Sequence, residues 1–287
     1  MTILITGNRG LVGRALEKTL SQAGHHPIGF DLKDGWDILS PSQLAQAMRG
    51  CDAAVHLAAI ETKDSLQTLR TNVLGTLNVL EACVESKIRR LVFMSSIDAL
   101  GIFQGEGIPL YLPLDDGYPC HPTLVYSVSK KLGEELCERF AEEEKLRIAT
   151  FRVPGVWTTE TYRIIQSKRR ENPEYEWSPY WEYGAFIDVR DLAAAVLRAI
   201  EKDLPGYTCL SLASDDITSS GRTSLQLVRA LHPAVPWKGG PEYEDDPYRS
   251  LIDCGTAKRL LDWRPEHSWK SFIASASGQN PAGTCSK

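Results

Sequence analysis

Apolar residues in the first half of the chain follow two alternating patterns. Short apolar or β-branched runs predict strands, and longer stretches with apolar residues three or four positions apart predict helices. The predicted strands are TILIT (2–6), HPIGFD (26–31), AAVHLAA (53–59), RLVFMSS (90–96) and RIATFRV (147–153). The predicted helices cover residues 11–24, 40–50, 69–86 and 125–144. Because strands and helices alternate, we predict right-handed βαβ units in an α/β fold whose parallel sheet is covered on both faces.

The second half of the chain is less regular. Residues 159–184 are rich in Tyr, Trp, Glu and Pro, and residues 185–201 predict a short strand followed by a helix. The last residues, 275–287, are small and polar, so we predict a flexible tail there.

Composition narrows the class of protein. The length of 287 residues fits one large domain or a core domain with a smaller appendage. Hydrophobic residues make up 43% and charged residues 24%, as in ordinary globular proteins. The net charge of −5 disfavours binding of nucleic acid through bulk positive charge. The short basic run at 167–170 has acidic residues after it, which predicts a solvated face.

Cysteine usage and apolar runs indicate a compartment. The seven cysteines are scattered and form no C-x-x-C pair, which predicts reduced thiols and no structural metal site. The N-terminus has no secretory signal pattern, and no apolar stretch is long enough to span a membrane. We therefore expect a cytoplasmic protein without a membrane partner.

The stretch TGNRGLVG (6–13) lies between the first predicted strand and the first predicted helix. Gly7, Gly10 and Gly13 are suited to a dinucleotide-binding turn, in which the backbone approaches a pyrophosphate at the start of a helix. The alternative is a bend with incidental glycines. Since a carboxylate is expected at the end of the second strand to bind ribose hydroxyls, Asp31 favours the first interpretation.

The same carboxylate bears on the choice of cofactor. Asp31 would repel a 2′-phosphate, so the sequence favours NAD over NADP. Lys33 and Arg9 keep NADP open as the alternative, because either could meet a 2′-phosphate.

The stretch YSVSK (126–130) places Tyr126 and Lys130 four residues apart on one face of a predicted helix. An ammonium at Lys130 would lower the pKa of the Tyr126 phenol, which could then exchange a proton with a substrate hydroxyl. Ser96 ends a predicted strand, where open α/β sheets bind ligands. The alternatives are an exposed Tyr–Lys pair and a serine that merely begins a loop.

With these motifs in this order, the chain resembles the extended short-chain dehydrogenase/reductases of the NAD-dependent epimerase/dehydratase group, over at least residues 2–265. The resemblance implies a Rossmann-type doubly wound parallel sheet with a small C-terminal substrate-binding lobe. It divides the chain into an NAD-binding domain (1–157 plus 185–213), the lobe (158–184 plus 214–274) and the tail. Further matching segments are HLAA (56–59), NVLGT (72–76), SSIDALG (95–101), FIDVRDLA (186–193) and LLDWRP (260–265).

The resemblance also implies roles for single residues. Ser96, Tyr126 and Lys130 match the catalytic positions, with Tyr126 as the acid/base and Lys130 also binding the nicotinamide ribose. Asn72 matches the residue that orients the active-site region. The implied cofactor-binding positions are Gly7, Asn8, Arg9, Gly10, Leu11, Val12, Gly13, Asp31, Asp37, Ile38, Leu57, Ala58, Ala59, Asn72, Tyr126, Lys130, Pro154 and Val156.

The chain departs from the family in the lobe. Few residues lie between Val156 and Ile187, which is little chain for a lid over a nucleotide diphosphate. Pro154–Gly155 and Gly184–Ala185 stand where the family often has an asparagine and a basic residue. Possible substitutes for a phosphate-binding arginine, which could equally be surface or structural residues, are Arg163, Arg190 and Arg249.

The lobe is rich in aromatic residues, which could stack on sugar rings or form the lobe's core or a dimer contact. The short lobe resembles uronate dehydrogenases and related members with small substrates. It therefore favours a free sugar, sugar acid or small polyol. The aromatic residues are Trp157, Tyr162, Tyr175, Trp177, Tyr180, Trp181 and Tyr183.

We therefore expect an oxidoreductase that transfers a hydride between the nicotinamide of NAD and a secondary alcohol or carbonyl of a carbohydrate-like substrate. The alternative is an epimerase, also of nucleotide sugars, that oxidises its substrate transiently. Dehydration is disfavoured because Asp98 is the one carboxylate beside Ser96 in the sequence. A non-catalytic NAD-binding regulator is disfavoured because Tyr126 and Lys130 are both present. The resemblance also implies a homodimer that pairs the helices at 69–86 and 125–144.

Overall fold

A computed structural model of the chain describes residues 1–172, 175, 182–219 and 221–276. Six parallel strands form the central sheet, in the order β2-β1-β3-β4-β5-β8. Two very short parallel strands, β6 and β7, pair with each other outside the central sheet. The strands are β1 (Thr2–Thr6), β2 (His26–Phe30), β3 (Ala53–His56), β4 (Arg90–Met94), β5 (Arg147–Arg152), β6 (Val156–Trp157), β7 (Ile187–Asp188) and β8 (Tyr207–Ser211).

Helices cover both faces of the sheet. Alternate residues of β1 divide between the faces: Ile3 and Ile5 join the core under α1 and α7, and Leu4 joins the core under α2, α4 and α5. This confirms the predicted doubly wound α/β fold. The helices are α1 (Leu11–Gln22), α2 (Pro41–Ala47), α3 (Ser65–Leu69), α4 (Gly75–Glu85), α5 (Val125–Glu144), α6 (Thr159–Glu171), α7 (Val189–Glu201), α8 (Ser224–Leu231), α9 (Glu242–Asp245), α10 (Gly255–Leu261) and α11 (Trp269–Ala276).

The predicted helix over 69–86 differs most from the structure. The helical segment begins earlier, at Ser65, and a π-helical turn at Arg70–Leu74 separates α3 from α4. The apolar pattern did not indicate these features, because a π turn changes the period within one helix and the first turn is mostly polar. The helix predicted over 125–144 has the same limits in the structure.

Two further cores lie beside the sheet. Residues between Ile97 and Tyr118 pack with residues between Ala213 and Cys254, although the predicted division assigns the first group to the NAD-binding domain. The domain limits stay a prediction. Trp157, the first aromatic residue of the lobe, packs in a cluster with Tyr162, Ile165, Phe186 and Trp269.

The sequence predicted a solvated face for the basic run at 167–170. The structure contradicts this prediction for one residue of the run. Arg169 is buried on α6, where its Nη2 donates to the carbonyl oxygen of Thr218 at 2.8 Å and its guanidinium lies over the ring of Trp269. One cation of the run is thus buried where α6 packs on the rest of the protein.

No helix in the described ranges is long and apolar enough to cross a membrane.

A buried ion pair connects α5 to the sheet. Arg152 at the end of β5 donates two hydrogen bonds to Glu134, from Nε at 2.9 Å and from Nη2 at 2.7 Å. The Ser95 hydroxyl donates to the same carboxylate at 2.7 Å. Both ionic side chains are more than nine-tenths buried. The pair therefore fixes the angle at which α5 crosses the ends of β4 and β5.

Replacing Arg152 with leucine should destabilise the protein, because it leaves the Glu134 carboxylate buried without its counter-ion. We expect the free energy of unfolding in urea to fall by about 3–5 kcal/mol. The control is Arg147→Leu on the same strand, where the exposed arginine pairs with Asp203 and its loss should cost at most about 1 kcal/mol. Equal and small losses in the two variants would contradict this role of the buried pair.

Candidate active site

A cavity of about 690 Å³ opens at the carboxyl ends of β1, β2 and β3. This is the edge at which parallel α/β sheets bind ligands. The cavity lies between the loop after β1, the loop after β2 and the loop after β3. The predicted cofactor residues that line it are Gly7, Gly10, Asp31, Asp37, Ile38, Leu57, Ala58 and Ala59.

The glycines of the turn are required by its geometry. Gly7 has a φ of +74°, and a Cβ atom there would lie 2.9 Å from the backbone nitrogen of Ala58. A Cβ atom on Gly13 would lie 2.4 Å from the Cα of Asn8. The turn therefore packs against the loop after β3 and against its own helix. Among the described residues no side chain caps α1 at Gly10, which leaves first-turn N–H groups for the phosphates of a dinucleotide.

The Asp31 carboxylate is held in place at the rim of this cavity. Its Oδ2 accepts a hydrogen bond from the Arg9 backbone N–H at 3.0 Å, and its Oδ1 accepts one from the Lys33 N–H at 2.9 Å. Lys33 also lines the cavity. The Arg9 side chain lies outside the lining, with its Nε 3.4 Å from Asp34. Each Asp31 oxygen keeps a lone pair that can accept a hydrogen bond from a ribose hydroxyl.

Several predicted cofactor residues support the cavity without lining it. Asn8 is buried and donates to Glu17 at 2.8 Å, and Val12 packs against the core. Arg9 contributes its backbone N–H to Asp31. The predicted cofactor positions that line neither this cavity nor the catalytic cavity described below are Asn8, Arg9, Leu11, Val12, Gly13 and Asn72.

Asn72 lies within the π-helical turn, where it links two loops of the site. Its Oδ1 accepts from the Ile60 N–H at 2.8 Å, and its Nδ2 donates to the Ile60 carbonyl oxygen at 2.8 Å. The same Nδ2 donates to the Ser129 hydroxyl at 3.0 Å, one turn of α5 from Tyr126. These contacts join the loop after β3 to α5, and the orienting role that the resemblance implies for Asn72 stays a prediction.

The cavity also has a lining that the sequence did not indicate. Trp36 lies against Phe30 with their ring centroids 5.4 Å apart, and both rings line the cavity. The Trp36 side chain follows Asp31 in a loop without a periodic pattern, so no sequence signal marked it. The other lining residues that had no predicted role are Leu32, Leu39, Ile60, Gln67, Arg70 and Thr71.

A second cavity of about 340 Å³ shares Leu57 and Ala59 with the first. It contains the whole predicted catalytic set, although the three residues come from a strand end and from α5. Three carboxylates, two of them from segments that carried no predicted role, also line it. The residues concerned are Ser96, Tyr126, Lys130, Pro154 and Val156 from the predictions, and Glu61, Asp98 and Glu182.

Lys130 and Tyr126 are close, but their electrostatics differ from the prediction. The Lys130 Nζ lies 5.6 Å from the centre of the Tyr126 ring and donates to the Met94 carbonyl oxygen at 2.9 Å. Burial lowers the pKa of Lys130 to about 8. Burial, followed by the negative charges of the three carboxylates, raises the pKa of Tyr126. The predicted lowering of the Tyr126 pKa is therefore wrong for this structure, because these effects outweigh Lys130.

Ser96 connects the phenol to a carboxylate. Its hydroxyl donates to the Asp98 Oδ2 at 3.0 Å and accepts from the Asp98 backbone N–H at 3.2 Å. The nearby Ser96 hydroxyl opposes the rise in the pKa of the phenol. Burial raises the pKa of Asp98, and the nearby Glu61 contributes to that rise.

Glu182 reaches the catalytic cavity from the start of the segment before β7. Its Oε2 accepts a hydrogen bond from the Gly155 N–H at 2.7 Å. Burial raises the pKa of Glu182 to about 8, and the negative charge of Asp98 adds to that rise. No sequence pattern indicated this contact, because the carboxylate comes from a segment without regular periodicity.

The aromatic residues of the lobe have mainly structural positions where the structure describes them. Trp157 and Tyr162 are buried in an aromatic cluster, with ring centroids 5.3 Å apart. Tyr183 packs against Phe103 and contacts His232, while Tyr175 accepts a hydrogen bond from Lys168. The remaining aromatic candidates, which lie outside the described residues, are Trp177, Tyr180 and Trp181.

The three candidate phosphate-binding arginines do not line either cavity. Arg163 is exposed and pairs with Glu160, and Arg190 donates two hydrogen bonds to Asp188. Arg249 lies near Tyr243.

Within the described ranges, no group of three His, Cys, Asp or Glu residues is arranged to hold a metal ion.

Comparisons with known proteins agree with this arrangement. A UDP-glucose 4-epimerase from Rhizobium leguminosarum bv. trifolii is 26% identical over 96% of both chains. An L-arabinose 1-dehydrogenase (NAD(P)(+)) from Haloferax volcanii is 28% identical over 71% of this chain and 84% of its own. A short-chain dehydrogenase/reductase superfamily structure from Agrobacterium tumefaciens with bound NAD has a TM-score of 0.72 and 22% identity, covering 97% of both chains.

The model of one sequence family matches residues 3–208 of the chain. This range contains the glycine turn, Asp31 and the catalytic set. The geometry of the turn, the free N–H groups of α1 and the fixed carboxylate fit NAD as the cofactor of the larger cavity. The chain belongs to the NAD dependent epimerase/dehydratase family.

Proposed function

We propose that the protein is an NAD-dependent oxidoreductase that acts on a secondary alcohol or carbonyl of a carbohydrate-like substrate. The observation that carries the proposal is that Ser96, Tyr126 and Lys130 line one cavity that adjoins the dinucleotide cavity. NAD, when bound, accepts or returns the hydride. The residues of the chain then bind the substrate oxygen and move its proton.

Each catalytic side chain has a distinct task in this proposal. Tyr126 exchanges the proton of the substrate hydroxyl, because its phenol lines the cavity beside Ser96. Ser96 fixes the substrate oxygen through its hydroxyl. Lys130 is held by the Met94 carbonyl oxygen behind the phenol, where its charge favours the phenolate.

The size of the site supports a small substrate. The catalytic cavity measures about 340 Å³, and among the described residues Lys130 is the one cationic side chain in its lining. A sugar dehydrogenase is among the relatives, which agrees with a free sugar or polyol. Transient oxidation in an epimerase remains the second candidate, since an epimerase matches the chain over nearly its whole length.

We also propose the lobe as the substrate-binding part, with the domain limits predicted from the sequence, and a cytoplasmic location. Segments from the lobe support the first proposal, since Glu182 lines the catalytic cavity. The second is supported by the cysteines, because all those within the described ranges are free thiols.

Replacing Tyr126 with phenylalanine should remove the acid/base while keeping most of the packing. We expect turnover to fall by about 10²–10⁴-fold, measured as NADH absorbance with a panel of aldoses, polyols and uronic acids, or as isomerised product in chromatography. Tyr111→Phe is the control, because this tyrosine does not line the catalytic cavity. If the Tyr126→Phe protein still binds NAD and keeps the full biological effect of the wild-type protein, a non-catalytic regulator is favoured instead.

The two enzymatic candidates separate in the same assay. Net formation of NADH from a free sugar or polyol identifies a dehydrogenase. Isomerised sugar or sugar nucleotide without NADH identifies an epimerase, which returns NAD unchanged.

Replacing Asp31 with asparagine should weaken the preference for NAD over NADP. The substitution removes the charge that repels a 2′-phosphate, with Lys33 already at the cavity. We expect the ratio of the two dissociation constants to change by about tenfold or more, which corresponds to about 1.4 kcal/mol. Titration of the nucleotides against protein fluorescence measures it. Asp262→Asn at an exposed site is the control, and an unchanged ratio in Asp31→Asn would refute the assignment.

We further propose a homodimer through the outward faces of α4 and α5. Exposed leucines lie at both helices: Leu74 ends the π-helical turn just before α4, and Leu132 lies on α5. Cys137 of α5 is buried against the sheet. The wild-type protein should therefore be a dimer by light scattering at micromolar concentration.

Replacing Leu132 with lysine should shift the protein to the monomer, because a buried ammonium at the contact would lack a partner. Leu260→Lys on α10 is a matched control, since Leu260 is 39% exposed and Leu132 is 37% exposed. Light scattering that shows a wild-type monomer would disprove the dimer.

A further inference from the structure

The catalytic cavity is lined by more carboxyl groups than cationic groups. Glu61, Asp98 and Glu182 line it, and Lys130 is the one cation among its described lining residues. Lys130 donates to the Met94 carbonyl oxygen, and no ion pair joins it to these carboxylates in the described part of the chain. The stretch 173–181, which precedes Glu182, contains no lysine or arginine in its sequence.

Asp98 has one carboxylate oxygen that lacks a hydrogen-bond donor. The residue is only 5% exposed, and its Oδ2 accepts hydrogen bonds from Ser96 and from the Gln104 amide at 3.2 Å. Its Oδ1 is buried and has no hydrogen-bond partner among the described residues. Because a buried acceptor without a donor costs about 1–3 kcal/mol, this oxygen indicates a donor supplied by a ligand.

Glu182 is held at the cavity by an unusual backbone. Glu182, Tyr183 and Gly184 have successive φ values of +43°, +57° and +75°, all in the left-handed region. For the two residues with side chains this conformation costs about 1–2 kcal/mol each. Such strain is found mainly where function requires it. The strained segment directs the carboxylate to the Gly155 N–H, beside the catalytic cavity.

Glu182 also lines a neighbouring cavity of about 330 Å³. Apolar residues such as Ile102 and Phe103 form much of that cavity, with Tyr183 and His232 on the same side as Glu182. A ligand that extends from the catalytic set into the neighbouring cavity must therefore pass the Glu182 carboxylate. The Glu182 carboxylate would therefore lie alongside the middle of such a ligand and not past its end.

We propose that the substrate is a cation: an amine-bearing sugar or polyol whose ammonium binds Glu182 and Asp98 while its secondary alcohol lies at Ser96 and Tyr126. The proposal rests on the proposed oxidoreductase function and names its substrate class. An ammonium provides three donors, enough for the unpartnered Asp98 oxygen and for Glu182 together. Anionic substrates such as uronates and sugar phosphates would meet the same carboxylates with repulsion.

The charge of such a substrate would also serve the chemistry. The three carboxylates and burial together raise the pKa of Tyr126. A positive charge between Asp98 and Glu182 offsets two of those negative charges, and so lowers the pKa of the phenol toward the range of proton exchange. The same charge lowers the pKa of Glu182 from about 8, so that its carboxylate is ionised when the cationic substrate is bound.

The test compares galactose, 2-amino-2-deoxygalactose, 6-amino-6-deoxygalactose and galacturonate, which share one ring. With NAD present, NADH formation gives kcat/KM and thermal stabilisation of the protein gives binding. We expect at least one amino sugar to exceed galactose by about tenfold or more and galacturonate to be the poorest, as charge-assisted hydrogen bonds predict.

The outcomes separate the inference from the function on which it rests. Turnover with galactose or galacturonate equal to or better than with both amino sugars overturns the cationic substrate and leaves the oxidoreductase intact. Stabilisation by an amino sugar alone, without NADH or isomerised product, keeps the inference and overturns the oxidoreductase. Neither stabilisation nor turnover with any amino sugar overturns the inference.

Replacing Glu182 with glutamine should reduce kcat/KM for the preferred amino sugar by about 10–100-fold, and the ratio of amino sugar to galactose should approach one. Glu160→Gln, which removes an exposed carboxylate that does not line the cavity, should keep the wild-type ratio. If Glu182→Gln does not fold, Asp98→Asn provides the same comparison. An unchanged ratio in a folded variant of Glu182 or Asp98 would refute the ammonium site.

Discussion

The buried pair of Glu134 and Arg152 is the constraint on which the active site depends. It joins α5 to the end of β5, and the Ser95 hydroxyl brings the end of β4 to the same carboxylate. Lys130 lies one turn before Glu134 on α5, and Tyr126 lies one turn earlier again. Because desolvating two ions is costly, only their full hydrogen bonding makes this arrangement tolerable. The result is that α5 presents its catalytic residues to one point of the sheet edge.

A second network connects this point to the nucleotide cavity. The His56 ring, at the end of β3, hydrogen bonds Thr6 at 2.7 Å and Thr76 at 3.0 Å. Burial lowers the pKa of His56 to about 3, so the ring stays neutral and can accept from one partner and donate to the other. Thr76 donates to the carbonyl oxygen of Asn72, whose amide holds Ile60 and α5. The loop after β3 is thereby fixed between the two cavities.

The catalytic cavity is lined by three carboxyl groups and one amine among the described residues. Burial is the main cause of the raised pKa of Tyr126, and the negative charges of Asp98, Glu61 and Glu182 add to it. The short lobe contributes one of these carboxylates through a strained backbone, not an arginine that would receive a phosphate or a uronate. For the proposed cationic substrate, specificity therefore depends as much on the charges that the site repels as on those it binds.

The sequence by itself determined the elements with a local signature. Apolar patterns identified α5 and five of the six strands of the central sheet, all but β8. The glycine turn, Asp31 and the Tyr126–Lys130 spacing indicated where a dinucleotide and a proton-transfer pair could lie, because turn geometry and helix period are local properties. Only the tertiary structure decided which side chains share a cavity and how strongly each is charged. Glu182 and Asp98 come from segments without periodicity, and their proximity depends on the packing of the lobe. The pKa of Tyr126 depends on burial and on every nearby charge, and no spacing in the sequence contains these.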